Sequence, residues 1–155
     1  MNITEWYSRG LYRTNLQVWH GDDAIKKISV TYQKGQVNAV PAKEAGTSVF
    51  YNIWHAEAIK DVTIRMSKPD NAVARVAQIE VFHDGGEDWK SANPMVFGSA
   101  PTKLYGQEMK FTRPAPYDKH RWFFGGFYGR YSDVGIESLG VVWTREWWGP
   151  LQPQS

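Results

Sequence analysis

Two turns in this chain gather side chains able to do chemistry. Trp19-His20-Gly21-Asp22-Asp23 and His83-Asp84-Gly85-Gly86-Glu87-Asp88-Trp89 each set an imidazole beside carboxylates, glycine and an indole. An imidazole with two oxygen ligands suits zinc or iron. No two histidines are close in sequence, however, and adjacent carboxylates such as Asp22 and Asp23 point to opposite sides of an extended segment. His20, His55, His83 and His120 are also available as general bases, but a base needs a partner and a pocket. No glycine-any-serine-any-glycine nucleophile elbow occurs, and the absence of cysteine removes thiol nucleophiles, thiolate metal sites and disulfides together. The plain alternative is that hairpin turns are rich in Gly and Asp for backbone reasons alone.

The elements that must hold these turns announce themselves through one spacing used four times. An apolar residue is followed by a second three positions on and a third two further: Ile25, Ile28, Val30; Ile59, Val62, Ile64; Val76, Ile79, Val81; Ile136, Leu139, Val141. Each series continues in steps of two, to Tyr32, Met66, His83 and Trp143. Steps of two are the period of a strand with one buried face, and the opening step of three predicts an extra residue, a bulge, at the strand entrance. A strand type repeated in this way predicts an internally symmetric all-β fold working through the loops at its ends.

Between the marked strands, Leu16 and Val18 precede the first turn, Val49, Tyr51 and Ile53 alternate, and short strands are expected around Met95-Val96-Phe97 and Met109-Lys110-Phe111. Val37 to Thr47 reads as a connection, Lys68-Pro69-Asp70-Asn71 as a turn with its dihedral preset by proline, and Pro114 and Pro116 as strand breaks. No stretch of a dozen residues carries a helical stripe. Short strands separated by turn signals at even intervals predict a sandwich, barrel or prism.

At 155 residues the chain is expected to form one domain, residues 1–155, with a core of about 15–144. Aromatic residues make up 15% with eight Trp, enough to serve both half-buried sheets and ring-stacking sites. The formal charge of +2 comes from 18 basic and 16 acidic residues with no basic run longer than Lys26-Lys27, so no nucleic-acid partner is expected. No segment resembles a signal peptide or a membrane span. The expectation is therefore a soluble, cytoplasmic protein without membrane insertion, with secretion open if a leader has been removed.

At the last marked strand a family likeness enters. Arg121 to Trp143, with Gly126-Phe127-Tyr128-Gly129-Arg130 and Ser138-Leu139-Gly140-Val141, resembles the C-terminal signature of jacalin-related lectins. Ile25 to Tyr32, Glu57 to Val62, Val76 to Gly86 and Phe97-Gly98 resemble earlier pieces in the family's order, so the likeness runs from about Leu16 to Trp143. The resemblance implies a β-prism of three four-stranded Greek-key sheets around a pseudo-threefold axis. It also implies a non-catalytic carbohydrate-binding function, with no metal or cofactor, glycans or glycoproteins as partners, and homo-oligomers.

The family holds a monosaccharide at one end of the prism, using a glycine-rich turn near the N-terminus and a C-terminal loop that places an aspartate four residues after a glycine. Ionised carboxylates accept sugar hydroxyls while backbone N–H groups donate, and an aromatic ring covers the sugar's apolar face. By this likeness the site is the loop Tyr131 to Glu137, including Ser132, Asp133 and Val134, with Glu137 nearest the family's aspartate and Asp133 at its glycine. Gly10, in Arg9-Gly10-Leu11, is the candidate for the N-terminal turn. Pseudo-threefold symmetry adds Asp84, Gly85 and Gly86 as a second polar site and the Trp19 to Asp23 turn as a third. Galactose-specific relatives need a freed N-terminus, and this continuous chain shows no such processing, which implies mannose or glucose. Gly125, Gly126 and Gly129 are expected to serve strand crossing and bulges.

Two other readings remain beside this one. The scaffold could be repurposed for an apolar small molecule, with Trp143, Trp147 and Trp148 lining a cavity or else covering a sheet edge. Alternatively the aromatic N-terminus and the Trp147-Trp148 tail join protomers or partners without binding sugar.

Overall fold

The computed structural model of the protein describes residues 2–3, 14–21, 24–32, 37–39, 47–53, 59–70, 72–83, 94–115 and 120–147. Among them there is no helix, and eleven strands make three antiparallel sheets. The first sheet is built from β2 (Thr14–His20), β3 (Ile25–Tyr32), β4 (Val37–Ala39) and β5 (Thr47–Ile53) in the order β4-β3-β2-β5. The second repeats that order, β8-β7-β6-β9, from β6 (Ile59–Ser67), β7 (Arg75–His83), β8 (Met95–Gly98) and β9 (Met109–Thr112). In both, three consecutive strands run as hairpins and a fourth returns beside the first, which is a Greek key.

The third sheet has the order β1-β10-β11, with β10 (His120–Ser132), β11 (Gly135–Trp147) and β1 (Asn2–Ile3). β1 lies beside β10 where β5 lies beside β2 and β9 beside β6, so a segment from the N-terminus completes the C-terminal repeat. Among the described residues this sheet has three strands rather than the four the resemblance implied. A second difference concerns Val37 to Thr47, expected to be a connection: three of its residues form β4, paired with β3 through Ser29↔Ala39 and Thr31↔Val37. A three-residue edge strand is too short to show a period.

Every predicted bulge is present, and each has its extra residue inside the step of three. Pairing jumps from Trp19↔Lys27 to His20↔Ile25, from Ile59↔His83 to Asp61↔Phe82, from Arg65↔Gln78 to Met66↔Val76 and from Arg130↔Ser138 to Tyr131↔Ile136. The unpaired residues are therefore Lys26, Lys60, Ala77 and Glu137. Lys26, Ala77 and Glu137 occupy the same place near the start of β3, β7 and β11, one per repeat. A fifth bulge puts Gly125 out of register between Phe124↔Trp143 and Gly126↔Val142, where Gly126 takes φ 137°. The structural role expected for that glycine pair follows from this.

All residues of the four triplets are buried, none more than 8% exposed, and they meet Leu16, Val18, Phe97, Phe124 and Phe127 in one core drawn from the three sheets. Burying each such side chain contributes roughly 1.5–3 kcal/mol. Trp143 packs on the core's margin, edge-on to Phe124 with ring centroids 6.4 Å apart. The side chain of Trp147, and Trp148 altogether, lie outside the described residues.

Candidate functional site

β3, β7 and β11 begin at the same end of the prism, and Ile25 is where they meet. A methyl group placed on Gly98, at the end of β8, would come 2.8 Å from Ile25 Cδ1 and strike the Ala77 carbonyl; one placed on Gly135 would come 2.7 Å from the Ile25 carbonyl oxygen. These close approaches bring the β2–β3, β6–β7 and β10–β11 turns to one pole.

The β10–β11 turn is far tighter than the loop expected between Tyr131 and Glu137. Tyr131 and Ser132 belong to β10, Gly135, Ile136 and Glu137 belong to β11, and Ser132 pairs directly with Gly135. Only Asp133 and Val134 form the turn. Its geometry depends on Gly135, whose φ of 135° is closed to other residues in practice and whose missing side chain leaves room for the Ile25 backbone. Inside the turn the Val134 N–H donates weakly to Ser132 Oγ at 3.4 Å.

The side chains singled out from the sequence are distributed unequally around this tip. Asp133 and Val134 are exposed at its summit, with Ser132 exposed at its base. Glu137 is half-buried and stands on the bulge, where the extra residue turns a side chain away from the regular strand direction. Tyr131 is half-buried against the core. No hydrogen bond or ion pair with another described residue occupies the Asp133 or Glu137 carboxylate. One acceptor group thus lies in the turn and a second on the adjoining bulge, both open to a ligand's hydroxyls.

A donor joins them from a different sheet. Lys26, the bulge residue of β3, crosses to the turn and donates from Nζ to the Val134 carbonyl at 3.0 Å. Its Cε would lie 3.4 Å from a methyl group on Gly21, so the side chain passes over the β2–β3 turn as well. His20 donates from Nδ1 to the Gly21 carbonyl at 3.1 Å, and Lys27 Nζ stands 4.6 Å from the centre of the Trp19 ring. Trp19 to Gly21, the described part of the Trp19 to Asp23 turn expected as a third site, is therefore bridged by Lys26 to the β10–β11 turn. Asp22 and Asp23 lie outside the described residues. The sequence reading passed over Lys26, although its position inside the step of three marked it as displaced from the strand.

Of the sequence around the second expected site, only His83 lies among the described residues. His83 is buried, 4% exposed, and closes β7 opposite Ile59, the first residue of β6. Seven steps of about 3.3 Å along β7 separate it from Val76, so it stands some 20 Å from the pole that carries Asp133. The repeat equivalent of the β10–β11 turn is the β6–β7 turn, Lys68 to Ala74. Asp84, Gly85, Gly86 and Gly10 lie outside the described residues, as does His55. Among the described residues no group of three or more His, Asp or Glu comes together as a metal site would require.

The sequence matches no protein-family model and no curated protein. Its likeness is to solved structures. A galactose-specific lectin from Artocarpus hirsuta in complex with methyl-α-D-galactose superposes with a TM-score of 0.62 at 12% identity, covering 93% of this chain and 97% of that one. Jacalin in complex with melibiose superposes at 0.61 with 12% identity over 93% and 97% of the two chains. A mannose-binding lectin from champedak superposes at 0.56 with 16% identity over 93% and 96%. The chain has the β-prism fold of these jacalin-like lectins.

Proposed function

We propose that this protein is a lectin that binds neutral glycans without a metal, through the β10–β11 turn. The observation that carries this reading is the open pair of carboxylates, Asp133 on a two-residue turn braced by Lys26 from the neighbouring sheet and Glu137 on the adjoining bulge of β11. Sugar hydroxyls both donate and accept, so a site for them needs acceptors and donors fixed on one rigid surface. Asp133 and Glu137 accept, and the unused N–H groups of Lys26 donate alongside. A turn only two residues long loses little conformational freedom on binding, which lowers the cost of association. The fold shared with lectins named for galactose and for mannose supports a glycan as the ligand.

Within that reading the ligand is a mannose- or glucose-type glycan, as the family resemblance implies for a sequence read as one continuous chain. A glycan array probed with EDTA present tests both parts. The expected result is retention on mannose- or glucose-terminated glycans, lost in an Asp133→Ala, Glu137→Ala double variant. Retention on galactose alone would overturn the specificity, and a blank array from folded protein would overturn sugar binding. Binding that survives the double variant would remove the β10–β11 turn as the site.

A further inference from the structure

The pole also carries a concavity that the β10–β11 turn does not use. It lies between the β6–β7 turn and the β8–β9 loop, is lined by Lys68, Pro69, Asp70, Lys103, Leu104 and Tyr105, and is a half-open groove of about 270 Å³. We infer that this pocket is a binding site for an acidic saccharide, a sugar ring bearing a carboxylate or sulfate. The inference is independent of the neutral-glycan reading, because it concerns different residues and a different charge.

The pocket is built rather than incidental. The Tyr105 N–H donates to the Met66 carbonyl at 2.9 Å and Leu104 bridges to Ser67, so the β8–β9 loop is tied to the last turn of β6 by backbone contacts. On the other side Pro69 accepts from the Ala72 N–H at 3.0 Å, closing the turn that carries Lys68 and Asp70. Both walls are held by main-chain hydrogen bonds, which leaves the side chains free to face a ligand.

Their chemistry selects the ligand class. Lys68 and Lys103 against Asp70 leave one net positive charge on the rim. Tyr105 is 48% exposed and Leu104 40%, an aromatic and an aliphatic surface retained in the open although nothing in the core requires it. Lys68 Nζ stands 5.5 Å from the centre of the Tyr105 ring, so a cation and an aromatic face share one wall. A sugar's C–H face packs on a ring of this kind while its acid group meets the ammonium. Asp70 separates this class from a bare anion: a carboxylate repels free sulfate or phosphate but accepts the hydroxyls of a saccharide. The volume lies just below the usual range of about 300–1,000 Å³ for pockets that enclose drug-sized ligands, which suits one ring rather than an extended chain.

The test titrates the full chain with a sulfated uronate disaccharide cut from heparin, following backbone amides by NMR. Expected are shifts at Lys68, Asp70, Lys103, Leu104 and Tyr105, and at least ten-fold weaker binding in a Lys68→Gln, Lys103→Gln double variant. Lys110→Gln, which removes a lysine from β9 outside the pocket, is expected to leave the affinity unchanged, and Tyr105→Ala to weaken it several-fold. Shifts centred elsewhere would overturn the assignment, as would equal weakening by Lys110→Gln. Inorganic sulfate binding as tightly as the disaccharide, with Tyr105→Ala without effect, would reduce the pocket to an anion patch and refute the saccharide.

Discussion

Lys26 and Val134 are 108 positions apart in the chain and 3.0 Å apart in the fold, joined by a hydrogen bond from the lysine ammonium to the valine carbonyl. The contact links the bulge of one repeat to the turn of another. It also sets a cation at the summit that carries Asp133, with Glu137 on the adjoining bulge of β11. Replacing Lys26 with Met keeps the aliphatic stem and removes the donor. The bond is exposed, so its loss is expected to cost below about 1 kcal/mol in urea denaturation. Glycan affinity is expected to fall by more than that small loss of stability explains, because the turn loses its brace and the ligand a donor. Unchanged affinity in an array or calorimetric titration would show that Lys26 has no part in binding.

Gly135 permits the two-residue turn through its φ of 135° and its contact with the Ile25 backbone. Gly135→Ala is expected to destabilise by at least about 2 kcal/mol, combining backbone strain with a collision against main chain that has no room to move. Thermal unfolding measures this directly. A near-neutral variant would mean that the turn relaxes into another form.

Gly140 presents the opposite case. A methyl group there meets the ring of its cross-strand partner Tyr128 at 2.5–2.7 Å, but the ring is the end of a side chain that is 50% exposed and able to swing outward. Gly140→Ala is therefore expected to cost only about 1 kcal/mol, and less in a Tyr128→Ala background. A double-mutant cycle reads the coupling, and additive costs would show that backbone strain rather than the ring sets the penalty.

Arg65 organises the outer face of the second sheet. Its guanidinium donates to Gln78 at 2.9 Å, to Glu80 on the same strand, and to Glu108 at 3.1 Å. Gln78 is 8% exposed, so Arg65→Met leaves a buried amide oxygen without that donor and is expected to cost roughly 1–3 kcal/mol. Glu108→Ala, at a carboxylate 54% exposed, is expected to cost under about 0.5 kcal/mol. Equal costs in chemical denaturation would show that the ion pair, not the buried amide, matters.

Phe97 is fully buried on β8 and lies in the core shared by the three sheets. Phe97→Ala is expected to cost about 3–5 kcal/mol, measured by the denaturation midpoint at unchanged slope. A loss below about 1 kcal/mol would mean that the sheets collapse into the space and that the prism is less rigid than its packing indicates.

The sequence alone determined the four marked strands, their buried faces and their bulges. Whether Ile25, Ile28 and Val30 share a face depends on the strand period, and an inserted residue such as Lys26 or Glu137 shows as a break in that period. Both are local properties of a few consecutive residues. β4 was missed because three residues carry no period, and the length of the β10–β11 turn was overestimated because its closure depends on Gly135 fitting against Ile25, from a different sheet.

Only the tertiary structure decided which turns stand together. Strand direction around the prism puts the β6–β7 turn at the pole of Asp133 and His83 at the far end, although His83 has the richer surrounding sequence. The same wrapping joins Lys26 to Val134 and sets Lys68 and Asp70 facing Lys103 and Tyr105 across the groove. Such groupings arise from the packing of three sheets around one core. Hydrophobic periodicity fixes which face of each strand points to that core, but carries no record of which strand ends meet around it.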